Sequence, residues 1–267
     1  MRVSLMDNDN YSDRARSVYS GLEGKGDGVI LVTRLTRVDR VVIDSIPDLK
    51  VIGSSTTGLN HIDVEYAKKR GIKVISLNDC RHKIGEISST AEHTFALMLS
   101  IVRNLVKAHQ SVVTTPQHRE VFKGGELQGK TLGIVGMGRV GRLVAKYALA
   151  FGMEVLFYEH HREGEGEGCT REQYLHEMLP KCDIVSIHVP HDVATDQMFT
   201  SSLFKAMKPT AFFINTARGE IIAKNALYNA LYDGVIAGAA IDVMVGECDN
   251  VLVSYAQDLD NLIITPH

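Results

Sequence analysis

The sequence predicts an α/β protein built on parallel β-sheets, and three observations carry that prediction. Short apolar runs recur along the chain with little polar alternation: VIGSS at 51–55, KVISL at 73–77, TLGIV at 131–135, MEVLFY at 153–158, DIVSIHV at 183–189, AFFINT at 211–216, VIAGAAIDV at 235–243 and NLIIT at 261–265. Strands covered by helices on both faces read this way, because neither set of alternating side chains meets water. Helix-like segments separate the runs, and a βαβα alternation implies a parallel sheet. Finally, the glycine-rich stretch GMGRVG at 136–141 joins a strand directly to a helix.

Bulk properties bound what such a fold does. A chain of 267 residues accommodates one large or two ordinary domains, at roughly 150 residues each. Hydrophobic residues make up 45% and charged residues 23%, the balance of a globular protein, and the net charge is −3. That charge gives no electrostatic basis for binding nucleic acid or an anionic membrane. The four cysteines, Cys80, Cys169, Cys182 and Cys248, form no C-x-x-C pair and no common zinc spacing. So few thiols in so long a chain suggest a reducing compartment. The opening MRVSLMDNDN lacks an apolar signal core, and no long apolar run suggests a membrane span. The expected location is the cytoplasm.

Taken in order, residues 1–98 read as a first domain with two or more α/β units and a glycine-rich loop at 21–28. The helix expected at 88–107 carries Ser89-Thr90-Ala91-Glu92, the spacing of a capping box. Phe95, Met98, Leu99, Val102, Leu105 and Val106 then follow at helical spacing, with Leu97 and Ile101 on a second face. A helix apolar on more than one side packs between layers or domains. The second domain is expected over 99–267, interrupted by the polar Gly/Glu loop HREGEGEGCT at 161–170.

The glycine turn has the context of a dinucleotide-binding fingerprint. An apolar strand precedes Gly136-Met137-Gly138-Arg139-Val140-Gly141. An amphipathic helix follows, with Val140, Val144, Tyr147, Ala148 and Phe151 on one face and Gly152 as its C-cap. The next strand ends in Glu159. Gly136 permits the tight turn, Gly138 lets the backbone approach a pyrophosphate, and Gly141 lets helix and strand pack closely. The helix N-terminus offers N–H groups to phosphates. Glu159 lies near the place of the carboxylate that binds the adenosine ribose hydroxyls, and a carboxylate repels a 2′-phosphate, so NAD is expected over NADP. The alternative is a glycine turn of another α/β fold, such as a methyl-donor site.

Three further stretches follow strands of the same sheet: NTARGE at 215–220, IDVMVGE at 241–247 and TPH at 265–267. Ligands of open parallel sheets bind beyond the carboxyl ends of strands, so Arg218, Asp242, Glu247 and His267 are expected to converge there. Each alone reads as a surface or terminal residue. His188 and His191, flanking Pro190, suggest a metal pair only weakly, since no carboxylate or cysteine cluster completes a shell. No metal is expected.

In order and spacing, the motifs resemble those of the D-isomer-specific 2-hydroxyacid dehydrogenases. They are TTGLNHIDVEYAKKRGIKV at 56–74, STAEHTFALMLSIVRN at 89–104, LQGKTLGIVGMGRVG at 127–141, DIVSIHVP at 183–190, INTARGE at 214–220, AGAAIDVMVGE at 237–247 and NLIITPH at 261–267. The resemblance implies a flavodoxin-like substrate domain, a Rossmann NAD-binding domain and an active site between them. It makes Arg218 the holder of substrate carboxylate and carbonyl oxygen, His267 the general acid or base, and Glu247 its partner. It gives Asp242 to the nicotinamide end, and the Thr57 and Gly58 N–H groups to the substrate carboxylate. It extends the cofactor contacts to Arg139, Val140, His188, Val189, Pro190, Thr195, Thr216 and Ala217, besides Gly136, Gly138, Gly141, Glu159, Arg218, Asp242 and His267.

The chemistry agrees with these roles: a carbonyl receiving hydride develops negative charge on oxygen and needs a cation and a proton donor together. The family comparison implies a small 2-hydroxy or 2-oxo acid as substrate and a homodimer formed through the dinucleotide domain and the long helix. Family chains continue past this histidine into a helix that returns to the first domain, so the chain is expected to be cut short at its C-terminus. Formate dehydrogenases of the superfamily carry glutamine at the Glu247 position, which disfavours that activity. An NAD(H)-sensing corepressor and a phosphite dehydrogenase use the same residues and stand as alternatives.

Overall fold

The computed structural model describes residues 3–6, 28–33, 36–80, 84–85, 87–114, 119–159, 166–245 and 259–267. Two compact units divide the chain, Met1–Ile87 and Ser88–His267. The boundary expected at 98/99 lies inside a helix that falls in the second unit.

The first unit holds strands β1 (Val3–Leu5), β2 (Val29–Val32), β3 (Val51–Ser54) and β4 (Lys73–Ile75), paired in parallel in the order β1-β2-β3-β4. Helices α1 (Arg40–Asp44) and α2 (Val64–Lys69) make the crossovers. Each starts where an aspartate replaces a missing backbone partner: Asp39 accepts the Val42 N–H at 3.1 Å and Asp63 the Tyr66 N–H at 2.9 Å. Ile30, Val32, Val38, Ile43, Ile52 and Ala67 form the core of this unit. Most of the glycine-rich opening, at 21–27, lies outside the described residues.

The second unit is a seven-stranded parallel sheet in the order β11-β10-β9-β8-β5-β6-β7. Its strands are β5 (Thr131–Val135), β6 (Glu154–Tyr158), β7 (Thr170–Arg171), β8 (Ile184–Ile187), β9 (Phe212–Asn215), β10 (Gly238–Ile241) and β11 (Leu262–Ile264). The chain winds outward from β5 through β6 and β7, then returns to the other side of β5 for β8. That reversal makes the switch point, between β5 and β8, where such sheets bind ligands.

Helices α3 (Ser89–Val102) and α5 (Arg139–Ala150) share one core with Leu132, Ile134, Ile184, Ile214 and Ala240. Helices α6 (Leu175–Met178), α7 (Ser201–Ala206) and α8 (Ala226–Tyr232) share another with Val135, Val185, Ile187, Phe213, Ala239 and Ile241. Neighbouring residues of one strand enter opposite cores, which is why the runs are continuously apolar.

The helix expected at 88–107 is two helices, α3 and then α4 (Leu105–Thr114). Asn104 interrupts them at φ +54°, a left-handed conformation that asparagine tolerates better than most residues. The freed Val102 carbonyl accepts the Gly125 N–H at 3.0 Å instead. The expected capping box is also displaced: the N-cap is Ser88, and its hydroxyl bonds the Glu92 carboxylate at 2.5 Å, with no side-chain cap to backbone.

Candidate active site

The glycine turn sits at the switch point. Gly136 has φ +101°, and a Cβ there would lie 2.8 Å from the backbone of His188 and Val189, so β8's exit passes directly against the turn. A Cβ on Gly141 would lie 2.2 Å from the Gly136 carbonyl oxygen. A Cβ on Gly138 would meet nothing within 4 Å. Packing therefore explains the first and third glycines, whereas the second faces open space at the start of α5. Gly138 is also the N-cap and supplies no side-chain cap, as at helix N-termini that receive a phosphate. Glu159, just after β6, accepts the Met137 N–H at 3.0 Å. That bond fixes a carboxylate beside the turn. The residues fit a dinucleotide.

The loop after β8 is braced by its own side chains. The Thr195 hydroxyl donates to the Pro190 carbonyl at 2.6 Å and accepts the Asp192 N–H at 2.8 Å. Of the cofactor contacts expected here, His188 and Val189 adjoin the turn, while Thr195 holds the loop's shape. Part of His188 reaches the surface, yet burial of its ring pushes the imidazole pKa down to about 3. The ring is neutral near pH 7, with the Ser186 hydroxyl 2.9 Å from Nε2. His191 pairs with Asp196 at 2.9 Å. Among the described residues, no group of three or more His, Cys, Asp or Glu could hold a metal ion.

At the ends of β9 and β10 the chain makes two loops pressed together. Buried Asn215 closes the first: its amide donates to the Arg218 carbonyl at 2.9 Å and its oxygen accepts the Ala217 N–H at 3.0 Å. The Arg218 side chain, partly buried, bonds the Ala217 carbonyl at 2.6 Å. A Cβ on Gly219 would strike the Met244 and Val245 backbone at 2.3 and 2.4 Å, so the Arg218 loop lies against the loop that follows Asp242. Asp242 Oδ1 accepts the Thr265 hydroxyl at 2.5 Å and the His267 N–H at 3.1 Å. Arg218, Asp242 and His267 thus occupy neighbouring strand ends. Glu247 lies outside the described residues.

Helix α3 contributes two residues the sequence reading did not assign. His93 Nε2 is 3.0 Å from Thr265 Oγ1 and 3.2 Å from Asp242 Oδ1. Thr94 Oγ1 is 2.8 Å from Thr216 Oγ1, both residues buried. Thr94, a polar residue on the buried face of the helix, was the available signal, because buried polar groups need partners.

In the first unit, the Thr57–Gly58 turn follows β3. It is held by the Thr56 hydroxyl on the Gly58 carbonyl at 2.7 Å and the Asn78 amide on the Thr57 carbonyl at 2.7 Å. Both bonds use the turn's carbonyls.

Comparison with known proteins agrees with this geometry. Residues 95–267 match the family described as D-isomer specific 2-hydroxyacid dehydrogenase, NAD binding domain. A glyoxylate reductase of Pyrococcus furiosus is 38% identical over 258 residues, covering 92% of this chain and 74% of that protein. The chain belongs to the D-isomer specific 2-hydroxyacid dehydrogenase family. A D-3-phosphoglycerate dehydrogenase of Methanocaldococcus jannaschii is 39% identical over 252 residues, or 92% of this chain and 46% of that longer one. Among solved structures, the Aquifex aeolicus D-lactate dehydrogenase complexed with NAD and lactic acid superposes with a TM-score of 0.83 at 30% identity. It covers 100% of this chain and 88% of that one. The enzyme is an NAD-dependent oxidoreductase whose reaction moves hydride between nicotinamide and a 2-hydroxy or 2-oxo acid. Among the described residues, no helix is long and apolar enough to cross a membrane.

Proposed function

We propose that the enzyme reduces a small 2-oxo acid at the ends of β9, β10 and β11, with Arg218 and His267 as its catalytic residues. The observation that carries this reading is the shared Asp242 oxygen, which ties the His267 backbone to the β10 exit that Gly219 presses against the Arg218 loop. NADH, when bound, supplies the hydride. Arg218 binds the substrate carboxylate and carbonyl oxygen and stabilises the charge that develops there. His267 gives a proton to that oxygen in reduction and takes it back in oxidation. Glu247 is proposed to pair with His267. The Thr57–Gly58 turn is the proposed holder of the substrate carboxylate within the first unit. Glu159 selects the unphosphorylated adenosine ribose, and residues 136–141, His188–Pro190, Thr195, Thr216, Ala217 and Asp242 form the cofactor's surroundings. The two domains are proposed to divide the work, the first contributing to substrate binding and the second holding the cofactor, Arg218 and His267.

A homodimer is part of this reading. Helix α4 exposes Leu105 by 52%, Val112 by 76% and Val113 by 70%, an apolar surface of the kind that protein interfaces cover. A cytoplasmic location is proposed from the cysteine usage; Cys169 and Cys182 are both free thiols.

NADH oxidation, followed by absorbance with glyoxylate, hydroxypyruvate and pyruvate, tests the reading. Turnover that is lost in Arg218→Ala and His267→Gln while both variants still bind NADH supports it. Unchanged turnover in either variant overturns the assignment of roles. Binding of NADH without turnover of any acid favours a sensor.

A further inference from the structure

One side chain at the strand ends has no place in the reaction as described. His93 projects from α3 with its side chain 39% exposed, against 18% for Asp242. The Thr265 hydroxyl carries a single proton and donates it to Asp242 Oδ1. Its oxygen, and the carboxylate, are then acceptors toward His93. Nε2 lies 3.0 Å from one and 3.2 Å from the other, so it must carry the hydrogen. Asp242 Oδ1 therefore receives two hydrogen bonds, from the Thr265 hydroxyl and from the His267 main-chain N–H at 3.1 Å, while the His93 ring donates to Thr265 Oγ1 and stands 3.2 Å from the carboxylate. The next residue of α3, Thr94, bonds Thr216 just ahead of Arg218. One turn of α3 thus touches the exits of all three strands that carry the proposed chemistry.

We propose that His93 is a positioning residue for hydride transfer. Its Nε2–H holds the Thr265 hydroxyl that donates to Asp242, and so keeps the carboxylate in the orientation that receives the His267 backbone and sets where the proton-transfer ring stands. The inference rests on the proposed role of His267. A carboxylate turns easily about its terminal torsion, which has broad wells. Without the His93 bond to Thr265, the hydroxyl and Asp242 no longer hold His267 in one arrangement, and sub-ångström errors in such groups slow chemistry more than they weaken binding.

Two substitutions and one spectrum test this. His93→Leu removes the donor and keeps an apolar body; His93→Gln places an amide N–H at about the reach of Nε2. With glyoxylate, or the most active 2-oxo acid, kcat is expected to fall about 10-fold in His93→Leu while the NADH Kd and Tm change little. His93→Gln should recover most of that loss. In an Asp242→Asn background, His93→Leu should add nothing further, since the two residues act as one unit. A wild-type kcat in His93→Leu, a His93→Gln variant equally impaired, or a fully additive double variant each overturns the proposal. Independently of turnover, nitrogen-15 imidazole spectra of the NADH complex at mildly alkaline pH should show His93 as the Nε2–H tautomer; the Nδ1–H tautomer overturns it. His267→Gln, assayed alongside, separates the two ideas. If it keeps turnover, the reading of His267 falls; if it loses turnover while His93→Leu does not, only the present inference falls.

Discussion

The cofactor turn and the strand-end cluster are built in opposite ways. The turn is local: Gly136, Gly138 and Gly141 lie within one strand–helix junction, the first and third where backbone meets backbone closely and the second facing open space. The cluster is assembled over distance. His93 meets Thr265 across 172 positions of chain and Thr94 meets Thr216 across 122. A local device can be damaged one glycine at a time, each with its own symptom. A distributed one fails through shared atoms, such as Asp242 Oδ1. The two regions should therefore separate in experiments that read binding, turnover and stability independently.

The largest separation is expected from Arg218→Ala. Loss of a cation aimed at developing charge should lower kcat/KM by about 1000-fold, while NADH binding stays within a few-fold. Stopped-flow reduction and NADH fluorescence titration read the two quantities. An equal loss in both would place Arg218 in general binding instead of chemistry, and would merge the two regions.

Within the turn, two glycines should part company. At Gly138 a side chain meets open space, so Gly138→Val should leave Tm nearly unchanged yet raise the NADH Kd roughly 100-fold, since the new methyls occupy the ligand's place. At Gly141 a Cβ meets the Gly136 carbonyl oxygen at 2.2 Å. Gly141→Ala should destabilise the unit by about 2 kcal/mol through overpacking, and chemical denaturation would show it. If Gly138→Val lowered Tm as much as Gly141→Ala, the open space would be structural and not a ligand's.

The same contrast explains what could be read from the sequence. The strands were legible because burial on both faces leaves unbroken apolar runs, with Ile184 entering one core and Val185 and Ile187 the other. The turn was legible because its physics lies within a short stretch. The helix at 88–107 was misread because Asn104 takes a left-handed conformation that an apolar periodicity running through Leu105 and Val106 does not reveal. Ser88, not the Ser89 of the expected box, is the N-cap, a register one residue beyond the resolution of pattern. Arg218, Asp242 and His267 were legible as residues after strands, but His93 and Thr94 were not. Their meaning lies in partners that only the folded sheet brings near.

His188 tests the seam between the two regions, since it follows β8 and lies against the Gly136 turn. Its ring, desolvated, resists protonation until about pH 3, against an ordinary value of 6.5. An unfolded chain takes that proton near 6.5. Stability from this residue is therefore fully present above 6.5 and is lost as pH falls toward 3. Between pH 7 and 5, wild type should lose about 2 kcal/mol more than His188→Gln, read from urea midpoints. Equal losses would mean the ring is solvated and free to charge.

The smallest effect is expected at the other end of the same strands. Asp183 opens β8: its carboxylate accepts the Thr131 N–H at the start of β5 at 2.9 Å and pairs with Lys208 at 2.9 Å. Partial burial pushes its pKa up, but the Thr131 N–H and Lys208 together outweigh that and hold the carboxyl below its usual range. A lowered carboxyl stabilises the fold above its unfolded value of 3.8, and that contribution disappears as pH drops through the folded value. Lys208→Met should thus cost about 1 kcal/mol at neutral pH, limited by solvent screening of a half-exposed pair, and the gap to wild type should close in acid. Turnover should be unaffected, because this tie fixes where β5 and β8 begin and not how they end. A fall in kcat would mean that tension at the amino end of the sheet reaches the glycine turn along β5, and the independence of the two ends would have to be abandoned.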